Sequence, residues 1–257
     1  MRWVVKVGTS SVCEEDGRLS HSRIKGLAEQ VGRLYHRGHE VMMVSSGAVG
    51  AGVGRIGRWP QTVGDKQALA AIGQARLIQA YQSVFDPVPV GQILITRADL
   101  EDPARRMASG RTLQQLLEWG VVPIINENDT VADEELRIGD NDTLAARVAT
   151  LVDADLLVIL SDIDGLYTDN PRLYPDARRI ATVPWVTAED LAEHTASPGP
   201  WGTGGMATKL EAARISQEAG IGMVLASSHE PDVLAKVMGM DWPGGTRFLA
   251  QRGNFGA

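Results

Sequence analysis

The chain has 257 residues, which is enough for one large domain or two small ones with a substantial core. Hydrophobic residues make up 44% of it and charged residues 22%, the proportions of an ordinary soluble globular protein. The formal net charge of -7 argues against a general nucleic-acid-binding protein, because such proteins present basic surfaces. A single cysteine, Cys13, rules out an internal disulfide and is typical of a reducing cytosol, so we expect a cytoplasmic protein.

The N-terminal residues MRWVVKV begin directly with a strand pattern, without the apolar segment of a signal peptide. No run along the chain approaches the roughly 20 apolar residues that a membrane-spanning helix needs. The sequence therefore predicts neither a targeting segment nor contact with a membrane.

Apolar runs rich in Val, Ile and Leu alternate with segments of helical period. The runs predict strands buried on both faces, and they cover residues 3–7, 40–46, 89–96, 121–126, 155–161, 222–227 and 246–250. The helical segments cover residues 21–38, 65–85, 102–120, 140–154 and 206–220. This alternation predicts an α/β sandwich with a mostly parallel central sheet.

Polar segments follow most of the predicted strands, where parallel α/β sheets place their ligand sites. They include KVGTSS after the first strand, SSGAVGAG after the second and SDIDGLYTDNP after the fifth. Glycine and serine before a helix leave backbone N–H groups available to an anion, although one such segment alone is more often a capped turn. Three of them, GTSS, SSGAVGAG and GTGGMATK, with Lys6 and Lys209 beside two, indicate a polyphosphate and its transfer. The segment GTGGMATK is not a Walker loop, because no hydroxyl residue follows Lys209.

Two short Asn/Asp clusters supply the acidic part of the pattern. Their members are Asn126, Asn128, Asp129, Asp140, Asn141 and Asp142. Such side chains can bind an ammonium group, hold a metal ion or orient a lysine. They also form turns and cap helices, and the residues alone leave these alternatives open.

The motifs of this chain resemble, in the same order, those of the glutamate 5-kinases in the amino acid kinase family. They are VVKVGTSSV, VSSGAVGAG, INENDTV, IGDNDTLAARVA, SDIDGLYTDNPR and GTGGMATKLEAA, and the resemblance extends from residue 2 to about residue 250. It implies a three-layer αβα sandwich around a largely parallel eight-stranded sheet. It also implies transfer of phosphate from ATP to the side-chain carboxylate of L-glutamate, the first step of proline biosynthesis. Mg²⁺ would accompany the ATP and bridge its phosphates, without a set of protein ligands.

The resemblance also implies roles for individual residues. Lys6 would stabilise the transferring phosphoryl group, Lys209 would act from the nucleotide side, and Asp142 would hold both lysines. Ser46, Asp129 and Asn141 would bind glutamate. The nucleotide-binding positions would be Lys6, Ser161, Asp162, Thr203, Gly204, Gly205, Met206, Ala207, Thr208 and Lys209.

Many members of this family continue into a PUA domain, a fold associated with RNA binding. We expect residues 1–257 to form a single kinase domain without a PUA domain, and therefore no nucleic-acid partner. The resemblance further implies feedback inhibition by proline at the glutamate site and a homo-oligomer, which we expect to be a dimer.

Two rival functions remain. The first is an amino acid kinase that acts on acetylglutamate, aspartate, carbamate or a nucleoside monophosphate, against which the NEND and GDND pair argues. The second is a sensor that binds an amino acid without catalysis. Lys6, Lys209 and Asp142 argue against the sensor, because it has no use for cations that stabilise a transfer state.

Overall fold

The computed structural model describes residues 1–132, 141–171, 173–193, 205–239 and 242–250. Within these residues the strands are β1 (Arg2–Val7), β2 (Glu40–Ser45), β3 (Val90–Ile95), β4 (Val122–Glu127), β5 (Leu156–Ser161), β6 (Leu166–Tyr167), β7 (Arg179–Ile180), β8 (Thr182–Val183), β9 (Gly222–Ser227) and β10 (Thr246–Phe248). Eight of them form one sheet in the order β3-β4-β2-β1-β5-β9-β10-β8, and β6 pairs with β7.

The sheet is parallel except at one junction. β10 runs antiparallel to β9, whereas every other pair of neighbours in the eight-stranded sheet is parallel. The predicted α/β sandwich with a mostly parallel sheet is therefore confirmed. The reversal of β10 was not predicted, because its apolar run TRFLA carries no sign of strand direction.

The α-helices of the described residues are α1 (His21–His36), α2 (Ala48–Ile56), α3 (Val63–Phe85), α4 (Arg97–Glu101), α5 (Pro103–Glu118), α6 (Asn141–Leu151), α7 (Ala188–Glu193), α8 (Met206–Glu218) and α9 (Val233–Met238). A 3-10 turn, Thr9–Ser11, follows β1. α5 begins as predicted, with Pro103 in its first turn and the Asp102 side chain accepting a hydrogen bond from the Arg105 N–H at 2.8 Å. The sequence missed α4, α7 and α9, which are too short for a helical period to stand out.

Alternate residues of the strands supply two separate cores, one on each face of the sheet. In β1, Val4 packs with the residues of α5, α6 and α8, whereas Val5 packs with those of α1, α3 and α9. This alternation explains why the strands read as continuous apolar runs, since both faces are covered. The layers are therefore helix, sheet and helix, as expected for the three-layer sandwich.

α2 and α3 pack with their backbones in direct contact. A Cβ atom on Gly73 would lie 1.8 Å from the carbonyl oxygen of Ala48, and one on Gly52 would lie 2.1 Å from that of Leu69. Any side chain at either position would therefore push the two helices apart. This contact ties α3 to the start of α2, beside the polar segment that follows β2.

None of the helices among the described residues has the length and apolar character that a membrane span requires. The prediction that residues 1–257 form a single domain stays a prediction.

Candidate active site

Three charged side chains that lie far apart in sequence meet at the carboxyl edge of the sheet. Lys6 Nζ lies 2.5 Å from Asp142 Oδ1, and Lys209 Nζ donates to Asp142 Oδ2 at 3.0 Å. The relative exposures of Lys6, Asp142 and Lys209 are 5%, 0% and 5%. The structure thus brings together all three residues predicted to be catalytic, with the carboxylate between the two ammonium groups.

The elements that carry these residues explain their meeting. Lys6 is in β1 beside Val44 and Ile159, on the face of the sheet covered by α6 and α8. Asp142 lies in the first turn of α6, and Lys209 lies in the first turn of α8. Since both helices pack on that face, their first turns place the Asp142 carboxylate between the ammonium groups of Lys6 and Lys209.

The cluster places two ammonium groups on either side of one carboxylate in a buried position. The two lysine side chains bring positive charge to this edge of the sheet, which favours an anionic ligand. The first turn of α8 adds to the attraction, because the positive end of a helix favours negative charge and its N-cap, Gly205, has no side chain to cover the N–H groups. Thr208 Oγ1 lies 3.2 Å from Asp142 Oδ2 and 2.9 Å from the Gly205 carbonyl oxygen, which fixes this turn against the cluster.

The other predicted nucleotide-binding residues that the structure describes lie along the same edge. Ser161 is buried at the end of β5, and its hydroxyl donates to Asp162 Oδ1 at 3.1 Å. Gly205 is the N-cap of α8, and Met206 and Ala207 open the helix. Thr203 and Gly204 lie outside the described residues.

Predicted glutamate-binding residues form a second cluster next to the charged one. Asn141 Nδ2 donates to Ser46 Oγ at 2.7 Å and to Asn126 Oδ1 at 2.9 Å. Ser46 lies between β2 and α2, where Gly47 adopts a φ of 111°, a conformation that favours glycine. Asp129 is half-buried in the turn after β4, and its N–H donates to the Glu127 carbonyl at 2.9 Å. Ser46 and Asn141 are therefore in contact, whereas Asp129 lies in the turn after β4, the strand next to β2.

For two residues of this cluster, the sequence predicted no specific role in substrate binding. Asn126 belongs to the NEND motif, but nothing in the motif distinguished it from a turn-forming asparagine. Gln74 lies in the middle of α3, and its Oε1 accepts a hydrogen bond from Asn126 Nδ2 at 2.8 Å. No local signal marks a glutamine inside a long helix, so this contact became visible only in three dimensions.

Two titratable groups beside the site are held in their neutral forms. Burial raises the pKa of the Cys13 thiol to about 12, and the thiol packs against the carbonyl of Gly47. Burial also raises the pKa of Tyr81, whose hydroxyl lies 2.8 Å from Ser45 Oγ. A thiol with this pKa is a poor nucleophile at neutral pH, so Cys13 has the character of a packing residue.

Known proteins resemble this chain in sequence. The model of the amino acid kinase family matches residues 1–227. A glutamate 5-kinase of Symbiobacterium thermophilum is 51% identical over 243 residues, which cover 92% of each chain. A glutamate 5-kinase of Neisseria meningitidis serogroup C is 48% identical over 239 residues. That match covers 91% of this chain and 65% of the Neisseria protein, so the chain spans just under two thirds of that relative's length.

Solved structures resemble this chain in fold. The carbamate kinase of Giardia lamblia bound to AMP-PNP has a TM-score of 0.67 at 18% identity, with 97% of this chain and 98% of that chain covered. The substrate complex of an isopentenyl phosphate kinase has a TM-score of 0.67 at 16% identity, with 96% and 98% covered. At such low identity these likenesses concern the fold alone. By its sequence, its fold and the buried cluster of Lys6, Asp142 and Lys209, the chain belongs to the amino acid kinase family, where it groups with the glutamate 5-kinases.

Proposed function

We propose that this protein transfers the γ-phosphoryl group of ATP to the side-chain carboxylate of L-glutamate. The products are ADP and L-glutamyl 5-phosphate, and the reaction is the first step of proline biosynthesis. The observation that carries the proposal is that the Lys6–Asp142–Lys209 cluster and the Ser46–Asn141 cluster are joined by the consecutive residues Asn141 and Asp142, in a chain that is 51% identical to a glutamate 5-kinase.

The cationic half of the site suits phosphoryl transfer. The glutamate side chain is already ionised at neutral pH, so its attack on the phosphorus needs no general base. What the reaction needs is cations where negative charge is shared between donor, phosphoryl group and acceptor. In our proposal Lys6 and Lys209 supply that charge, and Asp142 keeps both ammonium groups in place without the help of the substrate.

The polar half suits an amino acid. Free glutamate carries an ammonium group and two carboxylates, so its site requires an acid for the first and donors for the others. We assign the ammonium group to Asp129 and the side-chain oxygen of Asn141, and the α-carboxylate to donors that include the Ser46 hydroxyl.

The nucleotide-binding segments are proposed to be the first turn of α8 and the end of β5. In it, Gly205 to Lys209 would face the phosphates through their N–H groups and the Lys209 ammonium. Ser161 and Asp162, with Thr203 and Gly204 from outside the described residues, would complete it.

Mg²⁺ is proposed to accompany ATP, and when bound it neutralises part of the phosphate charge. No group of three or more His, Cys, Asp or Glu side chains able to hold a metal ion occurs among the described residues. Both oxygens of Asp142 face lysines. This donor set suits an ion held by phosphate oxygens and water, as Mg²⁺ usually is in kinases, and we propose no protein ligand for it.

We extend the proposal to the regulation of the protein, its assembly and its location in the cell. Proline shares the α-amino acid head group of glutamate, which supports inhibition at the glutamate site. Trp119, at the end of α5, is 70% exposed, which supports a homo-oligomer that covers it. We further propose that the protein works in the cytoplasm and that residues 1–257 act as a single kinase domain.

The test is to measure ADP release with ATP, Mg²⁺ and each candidate acceptor in turn. We expect turnover with L-glutamate and none above background with acetylglutamate, aspartate, carbamate or UMP. Turnover with one of these acceptors alone would replace glutamate in the proposal. Binding of glutamate without any ADP release would identify a sensor instead.

A further inference from the structure

We propose that Gln74 is a positioning residue of the acceptor site, which acts through Asn126 to fix the atoms that Asn141 and Ser46 present to the substrate. This inference rests on the proposed function, since it concerns how the acceptor amino acid is bound. It assigns a role to a residue in the interior of α3 that belongs to no motif of the sequence.

The contact between Gln74 and Asn126 is buried. The two residues are 9% and 2% exposed, and the Asn126 amide nitrogen donates to Gln74 Oε1 at 2.8 Å. In such a position a lost acceptor is not replaced freely by water, so a buried N–H left without a partner carries a full desolvation cost. The Asn126 amide is therefore held in one orientation as long as Gln74 offers an oxygen.

The polarity of the cluster follows from one backbone group. The N–H of Glu127 can only donate, and it donates to the Asn126 side chain at 2.9 Å, so the atom there is the carbonyl oxygen. The amide nitrogen of Asn126 must then face Gln74, which has to offer its own oxygen. The same Asn126 oxygen lies 2.9 Å from the Asn141 side chain, so the Asn141 atom that donates to it must be the amide nitrogen.

This arrangement of donors and acceptors determines which polar atoms of the cluster can bind a ligand. Asn141 uses both hydrogens of its amide nitrogen, one toward Asn126 Oδ1 and one toward Ser46 Oγ at 2.7 Å. Its Oδ1 is thus the remaining acceptor of the amide, and the hydroxyl hydrogen of Ser46 is the remaining donor. An acceptor beside a donor matches the ammonium and carboxylate groups of an α-amino acid.

Gln74 is not needed to hold α3 in place. Gly73 packs directly on the Ala48 carbonyl, and Tyr81, two turns further along the same face, bonds to Ser45. The position of the helix is therefore set by its neighbours. Removing the Gln74 acceptor should disturb the orientation of the Asn126 amide more than the fold.

The experiment replaces Gln74 by Met, which keeps the length of the side chain and removes the acceptor. We expect the KM for glutamate to rise about ten-fold, with kcat and the KM for ATP close to wild type, because the loss concerns ground-state binding of one substrate. Gln74→Glu keeps an acceptor oxygen in either protonation state, and it should bring the KM for glutamate back toward the wild-type value. Calorimetric titration of glutamate in the absence of ATP should show the same order of affinities.

The chain offers a matched control in Gln217, a second buried helical glutamine, whose Oε1 accepts from the Val186 N–H at 2.9 Å away from the acceptor cluster. Gln217→Met should lower the melting temperature and leave the KM for glutamate unchanged. If Gln74→Met did not fold, Gln74→Leu, which also lacks an acceptor, would take its place. An unchanged KM in the folded Gln74 variant, or a Gln74→Glu enzyme as impaired as Gln74→Met, would overturn the inference. A wild-type protein that does not phosphorylate glutamate would instead overturn the proposed function.

Discussion

Asn141 and Asp142 are consecutive residues at the start of α6, and their side chains enter two different clusters. Asn141 bonds to Ser46 at 2.7 Å, whereas Asp142 lies between Lys6 at 2.5 Å and Lys209 at 3.0 Å. One helical turn therefore joins the half of the site that suits an amino acid to the half that suits a phosphate. Transfer between two bound substrates requires such a fixed spacing, since misplaced reactants lose much of the rate.

Lys209 is expected to act on charge that develops in the transition state. Lys209→Met removes the ammonium group and keeps most of the side-chain volume. We expect kcat to fall by roughly 10²–10³, or about 3–4 kcal/mol, with little change in the KM for glutamate. Steady-state kinetics of both substrates would measure this. Lys25→Met, in the exposed side of α1, is the control and should behave as wild type. A folded Lys209→Met enzyme with an unchanged kcat contradicts the role.

Asp129 is expected to bind the ammonium group of glutamate. Asp129→Asn removes the negative charge, and the lost charge-assisted contact should cost about 1.5–3 kcal/mol, mainly as a higher KM for glutamate. The KM for ATP should stay unchanged. Asp153→Asn, at the opposite edge of the sheet, is a suitable control, because Asp153 is exposed and its φ of 49° is tolerated by asparagine. A defect confined to ATP would show that Asp129 belongs to the nucleotide side.

Asp142 is expected to be essential for stability as well as for catalysis. Asp142→Asn leaves two buried ammonium groups without their carboxylate, which should lower the free energy of unfolding by about 3–5 kcal/mol. Bound ATP should restore part of the loss, because its phosphates supply negative charge. Urea denaturation with and without nucleotide would measure both effects.

The control for Asp142 is an acid in a surface ion pair. Asp232 contacts Arg33, both side chains are largely exposed, and a φ of 53° also suits asparagine. Asp232→Asn should change the stability by no more than about 1 kcal/mol. Equal losses in the two variants would mean that the charged cluster contributes no more to stability than a surface pair.

Cys13 is expected to react with thiol reagents only when the protein opens. Its pKa is raised to about 12 by burial, so deprotonation becomes significant only as the pH approaches that value. At pH 8 the thiolate would be roughly one part in 10⁴ of the native protein. Labelling with a coloured disulfide reagent should therefore be slow in buffer and fast in urea. Fast labelling of the native protein at pH 8 would rule out this account.

The patterns in the amino-acid sequence were sufficient to predict the architecture. Its apolar runs and helical periods placed seven strands of the main sheet and the longer helices, because strands buried on both faces and one-sided helices leave distinct patterns in the chain. The resemblance of its motifs to those of the amino acid kinase family also implied that Lys6, Asp142 and Lys209 form one group.

The packing of separate elements determined the second layer of the site and the direction of the last strand. β10 pairs antiparallel with β9, which the short run TRFLA cannot encode. Gln74 of α3 meets Asn126 of β4, which lies 52 residues further along the chain. Gly52 of α2 and Gly73 of α3 likewise come into contact only when the two helices pack. A periodic pattern records which face of an element is buried. The polar group that a buried side chain contacts depends on how separate elements pack, and this packing is a property of the whole fold.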